Sequence, residues 1–136
     1  MDFQPSDRSY PFKGLEAVDS DALATFPYEY PGRPIDIEIV TGEFTAVCPY
    51  SGLPDFGTLT VRYIPDQLCI ELRSLKYYLL SYRDVGIFYE HLVNRVLDDL
   101  VKVCRPVQMT VEADYNIRGG LKTKAVAHYP RSEREE

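Results

Sequence analysis

Residues 84–106 read DVGIFYEHLVNRVLDDLVKVCRP, and residues 107–114 read VQMTVEAD. In the first stretch Val85, Phe88, Leu92, Val96 and Leu100 recur at steps of three and four, with Val101 beside the last of them. Glu90, Asn94, Asp98 and Lys102 fall elsewhere around the turn, so the spacing predicts a helix with one apolar face, starting at Asp84. Pro106 has no amide N–H to extend the ladder and ends it. In the second stretch Val107, Met109, Val111 and Ala113 alternate with Gln108, Thr110, Glu112 and Asp114, the pattern of a strand with one buried face.

The same two periods can be followed outward. Upstream, Ile35, Ile37 and Ile39 alternate with Asp36 and Glu38, and Leu59, Val61 and Tyr63 alternate with Thr58, Thr60 and Arg62. These are two half-buried strands suited to antiparallel pairing. A shorter helix is predicted over Lys76–Tyr82, weakened by its three tyrosines. Downstream, Arg118-Gly119-Gly120 supplies a turn before a final strand, Leu121–Tyr129. The order strand, strand, helix, helix, strand, strand implies an α+β domain whose two helices pack on one face of an antiparallel sheet.

With 136 residues, 45% of them apolar, the chain suits one compact domain and is too short for two. The expected division is an extended arm over 1–34, a folded domain over 35–130 and a charged tail over 131–136. Five prolines mark the arm, while Phe3, Tyr10, Phe12, Phe26, Tyr28 and Tyr30 give it surface to dock on the body or on a neighbouring subunit. A net charge of −6 disfavours broad capture of nucleic acid or anionic lipid. No apolar run approaches the ~20 residues that a membrane helix needs. Cys48, Cys69 and Cys104 cannot all pair in one chain, and no export signal opens the sequence. A reducing cytoplasm with free thiols is therefore expected.

Val47 to Gly57 concentrates the unusual chemistry: Cys48 and Asp55 in a loop carrying two prolines and two glycines, between the first two strands. Such a loop has few conformations and can hold a thiol and a carboxyl at fixed separation. Cys48 as thiolate is a nucleophile, and a partly desolvated Asp55 is a proton carrier. The plainer alternative is a small buried cysteine and a turn-capping aspartate. Cys69 and Cys104 lie in apolar surroundings and read as core. The two histidines, His91 and His128, sit apart and no paired cysteine spacing exists, so no metal is expected.

A second cluster, Glu71 to Tyr78, opens the first helix. A buried Glu71 can accept two parallel hydrogen bonds from an amidine-like edge such as a guanine-type ring, and Arg73 and Lys76 can hold phosphates with help from helix N-terminal amides. A solvated charged first turn accounts for the same residues. Glu90 can face the same ligand or stand as an ordinary helix carboxylate, and Arg118 reads equally as a phosphate contact or a hairpin-tip charge. No glycine-rich dinucleotide fingerprint or phosphate-cradling loop is present.

Taken together, residues 48–57 (CPYSGLPDFG), 71–78 (ELRSLKYY) and 81–84 (SYRD), with Phe88-Tyr89-Glu90, closely resemble the NADPH-dependent 7-cyano-7-deazaguanine reductases in their short, single-module form. The likeness spans residues 40–129 and includes Arg118-Gly119-Gly120. It implies a tunnelling fold related to GTP cyclohydrolase I, with subunit sheets joined into a barrel, active sites between neighbouring chains, and a homo-oligomer of two stacked pentamers. By position it implies Cys48 as the nucleophile toward the substrate nitrile and Asp55 as the proton donor. Ile70, Glu71, Leu72, Tyr89 and Glu90 would hold the 7-deazaguanine substrate, with Glu71 on its polar edge. Arg73, Ser74, Leu75, Lys76 and Arg118 would hold NADPH. Many members have His where this chain has Tyr89, with His91 two places on, which leaves open which of the two meets the ligand. The implied reaction feeds queuosine modification of tRNA at the level of the free base, with no direct contact with nucleic acid. Two alternatives from the same fold are an amidinotransferase that adds an amine to the thioimide and a non-catalytic binding protein.

Overall fold

A computed structural model describes residues 10–131. Among the described residues, after two short 3-10 turns at Leu15–Ala17 and Ser20–Ala22, six strands and two α-helices follow one another as β1 (Thr25–Pro27), β2 (Ile37–Val47), β3 (Pro54–Ile64), β4 (Leu68–Ile70), α1 (Leu72–Leu80), α2 (Tyr89–Cys104), β5 (Gln108–Tyr115) and β6 (Lys124–Tyr129). Four strands form an antiparallel sheet in the order β2-β3-β5-β6, and β1 pairs antiparallel with β4 in a separate two-stranded ribbon. The α+β class read from the change of period is the class observed.

Alternation decides which side chains meet the helices. Met109, Val111, Ala113 and Tyr115 of β5 are buried, as are Leu59, Val61 and Tyr63 of β3 and Phe44 and Ala46 of β2. Against this face α2 presents Leu92, Val93, Val96, Leu97, Leu100 and Cys104, which merge with the sheet residues into one core. Arg105 takes the left-handed conformation (φ 46°) and its N–H donates to Val101 O, so the helix closes one residue before Pro106. The two helices are joined through Asp99. Its carboxylate accepts from Tyr78 Oη of α1 at 2.6 Å and from Arg95 Nε of α2 at 2.9 Å, and Tyr82 Oη lies 2.8 Å from Tyr78 Oη.

Several boundaries differ from the sequence expectation, each for a local physical reason. The long helix begins at Tyr89, not Asp84, because Val85–Ile87 is extended and pairs with Val47 on one side and Lys13 on the other. Val85 is buried there as a bridge residue, which mimics its place in the helical spacing. The shorter helix runs over Leu72–Leu80 instead of 76–82: the Glu71 side chain caps it four residues earlier, and Tyr82 falls in the turn after it. The first strand extends past Ile39 to Val47 by tolerating a bulge between Thr41 and Phe44 at Gly42-Glu43. The second starts at Pro54, so Asp55, Phe56 and Gly57 belong to β3 and the loop shrinks to residues 48–53. The last strand begins at Lys124, after a single bridge between Arg118 and Leu121.

The short strands β1 and β4 carry too few residues to show alternation. Through them the arm is tied to the body: Thr25, Phe26 and Pro27 pair with Ile70, Cys69 and Leu68, and Val18 joins the core. The arm positions Phe3 and Pro5 and the charged end over 132–136 lie outside the described residues. Among the described residues no helix is long and apolar enough to cross a membrane.

Burial pushes the Tyr63 and Tyr82 phenols and the Cys104 thiol up to about 12, from 10.0, 10.0 and 9.0. The folded chain thus keeps protons that the unfolded chain releases first, so this stabilisation is intact below the thiol's ordinary value and drains away toward 12. The urea midpoint should be level from about pH 7 to about pH 8.5 and fall steadily from about pH 9 to about pH 11. A level midpoint up to about pH 11 would contradict this burial.

Candidate active site

Cys48 follows the last residue of β2 and opens a six-residue turn. Cys48 N–H donates to Leu53 O at 2.9 Å and Gly52 N–H donates back to Cys48 O at 2.8 Å, so the thiol is carried by a closed loop. Gly52 supplies the positive φ (74°) that closure requires. Asp55, in β3, shares the inward-facing alternation of Leu59, Val61 and Tyr63, and only 3% of it is exposed.

A cavity of about 480 Å³ brings Cys48 and Asp55 together with Tyr89, Glu90, Asn116 and Arg118. Arg118 Nη1 donates to Asp55 Oδ1 in an ion pair, which raises the pKa of the guanidinium. The arginine is placed by a tight turn in which Arg118 and Leu121 exchange backbone hydrogen bonds around Gly119 (φ 57°) and Gly120 (φ 79°). Its side chain remains 44% exposed. Tyr89, at the first turn of α2, stacks on Tyr115 with ring centroids 3.6 Å apart and planes 14° from parallel. Gly57 leaves room for this, since a Cβ there would lie 3.2 Å from the Tyr115 ring and 2.8 Å from Asp114 O. Burial first, and then the neighbouring Asp55 carboxyl, push the Tyr89 phenol up to about 12. Tyr89 lines the cavity, whereas His91 is exposed, packs edge-on to Phe88 and is not part of the lining. Glu90 is exposed at the start of α2.

The second cluster stands elsewhere. Glu71 is the N-cap of α1: its carboxylate accepts from Arg73 N at 2.6 Å and from Ser74 N at 3.0 Å. Those first-turn amides are therefore taken by the cap and are not free for a phosphate, a correction to the sequence expectation. Two of the roughly four acceptor positions of the carboxylate remain. Ser74 is buried, accepts from Ala24 N and donates to Glu71 O, which fastens the arm to α1. Leu75 and Ile70 are core side chains, the Ile70 N–H donating to Tyr63 Oη. Leu72 is 59% exposed, and Arg73 and Lys76 are exposed as well. Leu72 and Lys76 line a separate cavity of about 260 Å³ against Ile39 and Phe44 of β2, with Arg83 at its side. Lys76 and Arg83 bring positive charge to that cavity beside the carboxylate of Glu43, while Arg73 is exposed on α1 outside its lining.

No residue lines both cavities. One chain thus gathers Cys48, Asp55, Tyr89, Glu90 and Arg118, and keeps Ile70 to Lys76 apart from them. Sequence reasoning does not reach Tyr115 or Asn116. The β5 alternation, carried one step past Ala113, gives Tyr115 its inward direction. Asn116 is set by its N–H donating to Phe56 O at 2.9 Å, a pairing that no sequence pattern announces.

Residues 54–134 match the family model described as QueF-like protein. The NADPH-dependent 7-cyano-7-deazaguanine reductase of Caldicellulosiruptor bescii is 52% identical over 122 residues, covering 90% of this chain and 93% of the relative. Proteins of the same name from Chlorobium luteolum and Chlorobaculum tepidum are 57% and 51% identical over 82% and 85% of this chain, and 97% and 98% of theirs. Among solved structures, the crystal structure of the archaeosine synthase QueF-Like in the apo form has the same fold, with a TM-score of 0.65, 22% identity, and coverage of 74% of this chain and 96% of that one. On identity of this extent, the chain belongs to the QueF-like protein family, that of the NADPH-dependent 7-cyano-7-deazaguanine reductases.

Proposed function

We propose that this chain reduces the nitrile of 7-cyano-7-deazaguanine to the aminomethyl group of 7-aminomethyl-7-deazaguanine at the expense of NADPH, a step of queuosine synthesis. The observation that carries this reading is a thiol and a buried carboxyl, Cys48 and Asp55, in one cavity of a chain about half identical to reductases of that name. The substrate is a free base, so no contact with nucleic acid is needed. A cytoplasmic setting suits the chemistry, because it keeps Cys48 as a thiol.

Cys48 Sγ adds to the nitrile carbon as a thiolate, opening one C–N π bond, while the nitrogen takes a proton and a thioimide forms. NADPH held at the segment carrying Arg73 and Lys76 would supply one hydride per molecule, two molecules in turn, the first for the thioimide and the second for the imine freed as the Cys48 thiolate departs. With two protons the overall balance is one nitrile and two NADPH in, one primary amine and two NADP⁺ out. Asp55 is proposed to deliver protons to nitrogen; its Oδ1 accepts from Arg118, so the carboxylate first takes up a proton on its other oxygen and donates from there. Tyr89, held by its stack on Tyr115, and Glu90 border the heterocycle.

The complete site is proposed to form between copies of the chain, with Cys48, Asp55, Tyr89, Glu90 and Arg118 from one and Ile70, Glu71, Leu72, Arg73 and Lys76 from its neighbour. Two observations support this. The cavities share no lining residue, and β2 and β6 are edge strands of the four-stranded sheet whose outer backbone groups can pair with another chain. A closed tunnelling-fold barrel of two stacked pentamers satisfies both. Ser74 and Leu75, being interior, serve the cofactor segment by fixing its backbone.

Purified protein mixed with 7-cyano-7-deazaguanine should consume two NADPH for each amine formed, read at the nicotinamide absorbance band. A flat trace with ammonia-dependent product would replace this reading with an amidinotransferase, and no product with a binding protein. Cys48→Ala should abolish turnover and the covalent adduct. Asp55→Asn should still form the adduct, visible by intact mass, while kcat falls at least about 100-fold. Glu71→Ala and Cys48→Ala chains, each inactive alone, should regain activity when co-expressed as mixed oligomers. Continued inactivity in mixed particles would place all the residues in a single chain.

A further inference from the structure

We propose that residues 10–13 of the arm are a positioning strap for the nucleophile, setting the Cys48 turn against the start of α2. The inference rests on Cys48 being the reactive group, and adds to that reading a segment that lines neither of the two cavities.

Three backbone stretches lie side by side. In the middle runs Val85–Ile87. On its inner side Val47 N–H donates to Val85 O at 2.9 Å and Ile87 N–H donates to Val47 O at 3.0 Å, so the residue before Cys48 is locked to the residue two before Tyr89. On its outer side Lys13 N–H donates to Asp84 O at 2.7 Å and Gly86 N–H donates to Lys13 O at 2.9 Å. The strap then reaches the Cys48 turn itself, where Tyr10 N–H donates to Ser51 O at 2.9 Å. It therefore grips both ends of the Cys48–Tyr89 relationship.

Two glycines are shaped to receive it. A Cβ on Gly52 would lie 2.1 Å from Tyr10 O, and one on Gly86 would lie 2.3 Å from the Phe12 ring. Gly52 thus answers two demands, its positive φ and the passing backbone, and Gly86 makes a seat for an aromatic ring. Tyr10 and Phe12 remain 41% and 43% exposed. Neither belongs to the core cluster, so the strap can lose its grip while the core persists. Misplacing a reacting group by about 1 Å can cost ~100-fold in rate, which makes a half-buried strap outside the core kinetically important.

The test uses the full chain carrying Phe12→Ala, Phe12→Leu or Gly52→Ala. Measured quantities are kcat and KM for nitrile reduction, the rate of Cys48 alkylation by iodoacetamide, and thermal melting. Phe12→Ala and Gly52→Ala should lower kcat about tenfold or more, with KM for NADPH within about twofold and the alkylation rate changed. Phe12→Leu, which refills the seat, should restore most of the loss. Unchanged kcat and alkylation in Phe12→Ala overturns the proposal, and that variant decides alone if Gly52→Ala fails to fold. A kcat loss that merely tracks a lowered melting temperature, without rescue by leucine, overturns it too. Failure of the reductase reading is separate, since the unmodified chain would then not reduce the nitrile at all, while its Cys48 alkylation would still report on the strap.

Discussion

Two hydrogen bonds between Val47 and the Val85–Ile87 segment organise much of what lies around the cavity. They fasten the end of β2 to the approach of α2, two elements separated in sequence by β3, β4 and α1. Without that seam Cys48 hangs from the end of an edge strand, and the first turn of α2 is held by side chains alone, the apolar stripe and the Tyr89 stack on Tyr115. With it, the thiol turn and the first turn of α2 share a backbone frame. Asp55, paired opposite Ala46 in the register of β2 with β3, completes that frame from the sheet side.

How far the sequence discloses this follows from what each signal measures. The change of period at Pro106 is a signal of long elements, and it gives the class and the middle of the core stripe, Leu92, Val96 and Leu100, whereas Phe88 and Val107 fall outside their elements and are 48% and 55% exposed. Its failure at Asp84 is instructive. Val85 is fully buried, but in an extended bridge, and periodicity counts burial without asking which backbone produces it. The ribbon of β1 and β4 stays invisible for a different reason, since three-residue strands cannot display a period and their pairing joins residues more than forty positions apart.

At the site, the proline- and glycine-rich stretch announces Cys48 because restricted backbone is written into residue types. The environment of Asp55 is not so written. Its burial follows only once β3 is known to begin at Pro54, and its pairing with Arg118 depends on the turn that carries Gly119 and Gly120. In the second cluster, charge alone cannot tell a cap from a ligand contact. Glu71 carries out the first in this chain, while Ser74 and Leu75 turn inward beside two exposed cations.

Asp99 has a reach beyond its place between the helices. Because one carboxylate accepts from both Tyr78 and Arg95, with Tyr82 attached to the same cluster, neither helix can drift away without stranding a charged acceptor inside the protein. The helix capped by Glu71 and carrying Lys76 is thereby fastened to the helix bearing Tyr89 and Glu90 through a single carboxylate, which gives the two clusters of one protomer a shared mounting although they face different cavities.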